Sequence, residues 1–191
     1  MDKSVGKSGP TVLVLASGRG ERFAASGGGT HKLQALLAGK PVLRHTLDAV
    51  AGSGLPWHLE DAGHPGMGDC IAAAVRATPE ASGWLVLPGD LPLVQAATLR
   101  AVADALARHA VVVPVFQGAR GHPVGFSVAC REALLALTGN RGASPVVQAQ
   151  AALQSVALLD LADEGIVTDI DTLEDLQRAE ALLAASGRAP G

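Results

Sequence analysis

The sequence is poor in aromatic residues, in cysteine and in charge. It contains three phenylalanines, two tryptophans and no tyrosine among 191 residues. Because single-stranded nucleic acid is usually bound on stacked aromatic side chains, this scarcity argues against such a platform. A formal net charge of −3 gives no general attraction to nucleic acid either. Two cysteines, Cys70 and Cys130, are too few for a disulfide framework or a cysteine zinc site.

Long apolar runs are missing as well. No uninterrupted apolar run reaches the length that spans a bilayer, and the polar start MDKSVGKSGP has none of the apolar core of a signal peptide. We therefore expect no membrane partner and a reduced, cytoplasmic setting. With 48% hydrophobic and 17% charged residues, the chain should fold as a globular protein. The expected organisation is a disordered leader at 1–10, one domain at 11–185 and a loose tail at 186–191.

The most informative stretch runs from Thr11 to Leu33. Six uncharged, mostly aliphatic residues, TVLVLA, predict a buried strand. Glycines follow, together with Arg22 and Lys32. Ligands bind at the carboxyl ends of parallel strands, and glycines let the main chain approach a phosphate closely. We interpret this stretch as the site for a nucleoside triphosphate, the alternative being a tight turn without a ligand.

A carboxylate follows the second strongly apolar stretch. Trp84 to Leu87 predicts a buried strand, and Pro88-Gly89-Asp90 ends it. Asp90 should therefore lie at the carboxyl edge of the sheet, beside the first glycine loop. Magnesium takes one or two carboxylates together with phosphate oxygens. We predict that Asp90 binds Mg²⁺, the alternative being a turn-forming aspartate.

Two further aspartates lie near the end of the chain. Asp169 and Asp171 flank Ile170, so in an extended segment both carboxylates point to one face. Asp171 is a second candidate magnesium ligand if this segment lies beside the first strand. It could equally cap the helix that follows, although Thr172 is the residue that we expect at that cap.

His122 lies in a turn between Gly121 and Pro123. The rigidity of that turn suggests contact with a substrate, whereas a solvated histidine in a polar loop is the alternative. No serine or cysteine has a recognisable base partner. A reaction in which one phosphate attacks another needs no such nucleophile, because it depends on alignment and on neutralisation of charge.

Apolar strands alternate with amphipathic helices almost throughout the chain. This alternation predicts an α/β fold with a mainly parallel central sheet. Val124 to Val128 is expected to return as an antiparallel strand at the edge of that sheet. Asp69 is expected to cap the helix from Cys70 to Ala77.

The motifs occur in a familiar order. LASGRGERF, HKL, GMGDC, LVLPGDLPLV, GARGHPVGF, GNRGA and DIDTLEDL resemble the molybdenum cofactor cytidylyltransferases, a branch of the NTP transferases related to molybdenum cofactor guanylyltransferase. The resemblance extends from Val12 to about Leu183. It implies a three-layer α/β/α Rossmann-like nucleotidyltransferase fold that binds CTP and Mg²⁺. The implied reaction transfers CMP to the terminal phosphate of a molybdenum-pterin cofactor and releases pyrophosphate, and a client molybdoenzyme is a further implied partner.

The resemblance also implies the roles of individual residues. The catalytic residues would be Arg22, Lys32 and Asp90, with Lys32 stabilising charge around the α-phosphate. Asp90 would hold magnesium, with Asp171 as a second ligand. The implied nucleotide-binding residues are Ala16, Ser17, Gly18, Arg19, Gly20, Arg22, Lys32, Gly66, Met67 and Gly68. The implied acceptor-binding residues are Gly121, His122 and Pro123.

The sequence departs from the family pattern in several places, among them Ser17 where Ala or Gly is common and Asp69 and Cys70 where relatives often have serines. The interval from Gly52 to Gly66 is too short for the strand, helix and strand that relatives usually fit there, so one βα unit is expected to be missing. Asn140 and Ser144 stand where relatives carry an aspartate and an arginine. These departures leave two alternatives open: transfer to another phosphorylated metabolite such as a sugar phosphate, or a non-catalytic chaperone that binds and delivers the cofactor.

Overall fold

A computed structural model describes residues 9–18 and 20–187. Three predictions fall wholly or partly outside the described residues. They concern most of the expected leader at 1–10, part of the expected tail at 186–191, and Arg19 as a nucleotide-binding residue. Within the described ranges, no helix combines the length and the apolar character needed to cross a bilayer.

Strands and helices alternate along the described chain, as the sequence predicts. The strands are β1 (Thr11–Leu15), β2 (Leu36–Leu37), β3 (Lys40–Pro41), β4 (Trp57–Glu60), β5 (Gly83–Pro88), β6 (Val111–Phe116), β7 (Ala119–Arg120), β8 (Val124–Ser127) and β9 (Val156–Asp160). The helices are α1 (Glu21–Ala25), α2 (Val42–Ser53), α3 (Met67–Ala77), α4 (Ala96–Ala105), α5 (Arg131–Leu135), α6 (Ser144–Ala152) and α7 (Leu173–Ala185). Short 3₁₀ helices lie at Lys32–Gln34, Val128–Cys130, Gly139–Arg141 and Glu164–Val167.

The central sheet is mainly parallel. Its order is β4–β1–β5–β8–β6, and both β7 and β9 pair with β6. Strand β1 is parallel to β4 and β5, and β9 is parallel to β6. Strands β2 and β3 form a separate antiparallel pair. The predicted α/β class with a mainly parallel sheet is therefore confirmed.

The antiparallel strand β8 is not where we expected it. It lies inside the sheet and pairs with both β5 and β6, so the prediction that Val124 to Val128 forms an edge strand is wrong. The physical reason is burial: Phe126 is fully buried, and a Cβ on Gly125 would lie 2.8 Å from the Val102 side chain of α4. A strand covered in this way belongs in the interior of a sheet.

Different helices cover the two faces of the sheet. In β1, Leu13 packs with Ile71 of α3 on one face. Its neighbour Val12 packs with Val50 of α2 and Leu99 of α4 on the other face, because successive strand residues point to opposite sides. Helices on both faces produce the predicted three-layer α/β/α arrangement.

A third apolar cluster fixes the segments that approach the carboxyl edge of the sheet. Phe23 of α1, Leu33, Ile170 and Leu183 of α7 are buried together. Because Leu33 is anchored in this cluster, its neighbour Lys32 is held in place at the edge. The cluster therefore packs the segment around α1 against the segment that leads into α7.

The short interval after α2 contains a single strand, β4. Among the described strands, β4 pairs only with β1, and residues 61–66 alone connect it to α3. The chain thus reaches α3 without the additional βα unit that the resemblance would supply. As a consequence, Glu60 at the end of β4 lies at the carboxyl edge of the sheet, close to the start of α3.

Helix caps differ from expectation at one of two positions. Thr172 caps α7, since its hydroxyl accepts from the Asp175 N–H and the Asp175 carboxylate accepts from the Thr172 N–H. The alternative that Asp171 caps this helix is therefore wrong. The expected cap at Asp69 is also wrong: α3 begins after Gly66, and the Asp69 carboxylate accepts from the Gly139 N–H at 2.9 Å.

Asp163 is a buried carboxylate that ties α4 to the segment after β9. It is 4% exposed and accepts from the Thr98 hydroxyl at 2.6 Å, the Gln95 N–H at 3.0 Å and the Gly165 N–H at 3.0 Å. Replacement by alanine leaves these donors without an acceptor and should lower the free energy of unfolding by about 3 kcal/mol. Urea denaturation measures this loss, and the exposed Asp160→Ala variant is the control. Equal stability of the two variants would contradict the prediction.

Candidate functional site

Four charged side chains meet at the carboxyl edge of the sheet. The Lys32 Nζ lies 2.6 Å from the Asp90 Oδ2 and 2.8 Å from the Asp171 Oδ1. The Arg22 Nη1 lies 2.6 Å from the Asp171 Oδ2. Three distant parts of the sequence thus converge, as the sequence analysis predicted for the glycine loop, Asp90 and the late aspartates.

Backbone geometry places Asp90 against the end of β1. The Gly89 N–H donates to the Leu15 carbonyl at 2.9 Å, and the Thr46 hydroxyl donates to the Gly89 carbonyl at 3.0 Å. A Cβ at Gly89 would lie 2.9 Å from the Leu43 side chain and 3.2 Å from the Leu15 carbonyl oxygen. Glycine is therefore needed for the close approach that brings Asp90 beside the glycine loop.

A backbone hydrogen bond brings the late aspartates to Asp90. The Ile170 N–H donates to the Asp90 carbonyl at 3.0 Å, and the Ile170 side chain is buried. Asp169 is exposed and Asp171 half-buried. Although the Asp169 side chain is accessible, partial desolvation of its carboxylate by the surrounding segments, together with the negative charges of Asp90 and Asp171, raises its pKa. This segment forms no strand in the described structure.

The charge balance of the site suits a bound cation. Burial alone would lower the pKa of Lys32, but the attraction and hydrogen bonds of Asp90 and Asp171 outweigh it and raise the pKa. The Asp90 Oδ1 is buried and has no hydrogen-bond partner among the described residues. Within the same residues, no group of three or more His, Cys, Asp or Glu side chains could hold a metal ion. Two carboxylates with one free oxygen fit a divalent ion whose other ligands are phosphate oxygens and water.

The glycine loop forms one wall of a small cavity of about 290 Å³. Gly20 precedes α1 with a φ of +64°, a backbone conformation that favours glycine. The Gly18 carbonyl lies 2.6 Å from the His31 Nε2, which fixes the loop. The cavity is lined by Gly18, Gly20, Glu21, Arg22, Phe23, Lys32 and Asp171. Five of the predicted nucleotide or metal residues thus share it with a glutamate and a phenylalanine for which no role was predicted.

A second cavity of about 480 Å³ adjoins the first, because Gly18 and Glu21 line both. Its lining residues are Ser17, Gly18, Glu21, His64, Pro65, Gly66, Met67 and Asn140. Four predicted nucleotide residues lie here: Ser17, Gly18, Gly66 and Met67. Gly68 lies deeper, where a Cβ would be 2.7 Å from the Thr138 carbonyl oxygen. Ala16 donates its N–H to the Glu60 carbonyl at 2.9 Å.

A third cavity of about 500 Å³ is largely apolar. Met67 and Asn140 line it as well as the second cavity, so the three cavities follow one another along the edge. Apolar side chains from four elements form its floor: Leu15, Ile71, Val86 and Val113. Its polar groups come from Arg120, His122, Asn140, Arg141 and Ser144.

The predicted acceptor residues border this third cavity. The Gly121 N–H donates to the Pro114 carbonyl at 2.9 Å, and the His122 N–H donates to the Ile166 carbonyl at 3.0 Å. Gly121 and His122 line the cavity, whereas Pro123 is buried and does not line it. Burial lowers the pKa of His122, although the charges of Asp90 and Asp169 act in the opposite direction. His122 is therefore neutral at physiological pH.

Several residues of these cavities escaped the sequence analysis. No role is predicted for His64, and Arg120 and Arg141 occur in the sequence only as members of the GARGHPVGF and GNRGA motifs. A usable signal existed for His64, which lies two residues before the predicted nucleotide residue Gly66. For the arginines, only the folded arrangement of β7 and the Gly139–Arg141 turn reveals the shared cavity.

Comparison with curated proteins finds a similarity over part of the chain. A 126-residue stretch is 32% identical to the bifunctional protein GlmU of Stenotrophomonas maltophilia strain K279a, and it covers 53% of this chain and 27% of that protein. The chain spans about a quarter of the length of the curated relatives that it matches.

Comparison with solved structures extends over almost the whole chain. A nucleotidyl transferase from Methanothermobacter thermautotroptrophicus has a TM-score of 0.77 and 18% identity, with 95% of this chain and 100% of that chain covered. The molybdopterin-guanine dinucleotide biosynthesis protein A of Archaeoglobus fulgidus has a TM-score of 0.61 and 18% identity, with 92% and 99% covered. These likenesses show that the fold is that of a Rossmann-like nucleotidyltransferase.

The family assignment comes from the sequence itself. The family model of the MobA-like NTP transferase domain matches residues 48–156, which is more than half of the chain. This range includes β5 with Asp90, the turn at His122, and most of the residues that line the second and third cavities. The protein therefore belongs to the MobA-like NTP transferase family, as the order of its motifs predicted.

Proposed function

We propose that the protein is a divalent-metal-dependent nucleotidyltransferase that transfers CMP from CTP to the terminal phosphate of a molybdenum-pterin cofactor. The observation that carries the proposal is the pair of carboxylates, Asp90 and Asp171, bridged by Lys32 beside the glycine loop. Acidic and basic groups that meet at a glycine-rich strand end suit a polyphosphate bound with a cation. Membership of the MobA-like NTP transferase family supports the same reaction class.

The proposed reaction needs alignment rather than a protein nucleophile. An oxygen of the acceptor phosphate forms a bond to the α-phosphorus of CTP, while the bond from that phosphorus to the bridging oxygen breaks and pyrophosphate leaves. The attacking oxygen is already ionised, so no side chain has to remove a proton from it. The protein's contribution is position and compensation of charge.

The residues of the first cavity would bind the triphosphate. Backbone N–H groups of the loop from Gly18 to Gly20 would donate to the β- and γ-phosphates, and Arg22, whose side chain is 80% exposed, would close over them. Lys32 would turn its ammonium from the carboxylates to the α-phosphate, where negative charge increases in the transition state.

Magnesium fits the carboxylates that Lys32 now bridges. Asp90, through its unpartnered Oδ1, and Asp171 would hold the ion. A bound magnesium ion would neutralise phosphate charge and keep the reacting groups in line.

The third cavity suits a flat heterocycle that carries a phosphate. Its apolar floor can cover a ring system, and Arg120 and Arg141 at the same cavity can bind a terminal phosphate in a bidentate manner. His122, neutral and rigidly held, would donate or accept one hydrogen bond. The name of the Archaeoglobus neighbour, a molybdopterin-guanine dinucleotide biosynthesis protein, supports an acceptor of this kind.

Turnover measurements test the proposal. We expect pyrophosphate release when CTP, Mg²⁺ and the molybdenum-pterin cofactor are all present, and no release when any one of them is omitted. Pyrophosphate release with a sugar phosphate in place of the molybdenum-pterin cofactor would show that the acceptor is a sugar phosphate. Tight binding of the cofactor without any pyrophosphate release would favour the chaperone alternative. Failure to bind any nucleoside triphosphate would overturn the proposal.

A further inference from the structure

A buried carboxylate with two histidines lies next to the second cavity. Glu60, at the end of β4, is 8% exposed. Its Oε1 lies 3.1 Å from the His64 Nε2, and its Oε2 lies 3.3 Å from the His58 Nε2. None of the roles assigned above uses this group of side chains. Of the two histidines, only His64 lines the cavity.

Glu60 determines which ring nitrogen of His64 donates a hydrogen bond and which one can accept. Burial alone would raise the pKa of Glu60, but hydrogen bonds from His64 and His58 outweigh it and lower the pKa. Glu60 is therefore ionised at neutral pH and can only accept a hydrogen bond. The His64 Nε2 consequently donates in this contact, and Nδ1 is the ring nitrogen left to act as an acceptor. The Nδ1 has no hydrogen-bond partner within residues 9–18 and 20–187.

Among the other polar side chains of the cavity, the Glu21 carboxylate also accepts hydrogen bonds, but it lies at the junction with the triphosphate cavity, which it lines as well. The Ser17 hydroxyl already donates to the Cys70 Sγ at 3.1 Å. Asn140 carries both a donor and an acceptor on its amide and can present either. His64 is therefore the side chain whose polarity is set in advance by a buried partner. Such a group discriminates between ligands because the wrong ligand leaves it unpaired or opposes it.

We propose that His64 selects a nucleobase with an exocyclic amino group, cytosine rather than uracil, by accepting a hydrogen bond from that amine at Nδ1, with Glu60 as its positioning residue. The inference rests on the proposed function, because it places the base of the bound triphosphate in the second cavity. That cavity adjoins the triphosphate cavity through Gly18 and Glu21, which is the arrangement a nucleotide requires. Uracil presents a carbonyl oxygen at the same ring position, so two acceptors would face each other.

Calorimetry with CTP and UTP tests the inference, since the two nucleotides share ribose and triphosphate and differ only at C4 and the adjoining N3 of the base. In the presence of Mg²⁺, the wild-type protein should bind CTP about 10- to 100-fold more tightly than UTP. His64→Ala should bring the two affinities within about twofold of each other, mainly by weakening CTP binding. His64→Phe, which keeps a flat ring but has no hydrogen-bond acceptor, is the second variant if alanine impairs folding.

Two further variants separate base selection from a structural role. Glu60→Gln removes the fixed acceptor for the His64 proton and should reduce the CTP-to-UTP ratio. His58→Ala, which also removes a partner of Glu60 but does not line the cavity, should keep the ratio. An unchanged ratio in both His64 variants would overturn the inference. Equal binding of CTP and UTP by the wild-type protein, accompanied by pyrophosphate release, would overturn it while leaving the proposed function intact. Absence of any triphosphate binding would overturn both.

Discussion

Asp90→Ala should lower the rate of pyrophosphate release by at least about 10³-fold while leaving the protein folded. The variant removes both the buried, unpartnered Oδ1 and the Oδ2 that contacts Lys32. The remaining carboxylate of Asp171 is shared with Arg22 and cannot by itself balance the charges of a divalent ion and a lysine. The loss should appear in the maximal rate rather than only in the affinity for nucleotide, because charge compensation is needed most in the transition state.

The test of this prediction compares two aspartate variants. Pyrophosphate release is followed at saturating CTP for Asp90→Ala and for Asp104→Ala, a change at an exposed aspartate of α4. Thermal unfolding of both variants checks that each remains folded. Near-wild-type turnover of the Asp90 variant would remove this carboxylate from the mechanism and weaken the whole assignment of the site.

The convergence of Lys32, Asp90 and Asp171 could be predicted from the sequence for a simple reason. Parallel strands place their carboxyl ends at one edge, so residues that follow two buried strands meet there whatever the distance between them in the chain. The same reasoning identified the glycine loop, and the strong apolar character of β1 and β5 made both strands easy to recognise.

Other features depend on tertiary packing that no local pattern reveals. Strand β8 is internal because α4 lies over Gly125, and the short sequence around it resembles an edge strand. Thr172 and Asp171 are both good caps by residue type, and the choice between them follows from the contact of Asp171 with Lys32. The pairing of His64 with Glu60 follows from the short connection between β4 and α3, which brings the end of a strand next to the loop that carries the histidine.

A second large effect is expected from Lys32→Ala, and it has two opposite parts. Loss of the ammonium should lower the rate of pyrophosphate release by about 10²- to 10³-fold, because the α-phosphate loses its nearest cation in the transition state. The same change should strengthen the binding of Mn²⁺ in the absence of nucleotide. In the described structure Lys32 occupies the space between Asp90 and Asp171, and its raised pKa keeps it charged there, so a divalent ion must displace it.

Measurement of Mn²⁺ binding by electron paramagnetic resonance, without nucleotide, separates these two parts. We expect the Mn²⁺ affinity of Lys32→Ala to be about tenfold higher than that of the wild-type protein, because two carboxylates lose their resident cation. Lys40→Ala is the matched control, since it removes the same charge from a lysine that pairs with Asp48 instead. If the Lys32 and Lys40 variants bind Mn²⁺ equally, the Lys32 ammonium does not occupy the metal position. Asp90 and Asp171 would then form a structural ion pair with Lys32, not a site in which a divalent ion replaces the ammonium.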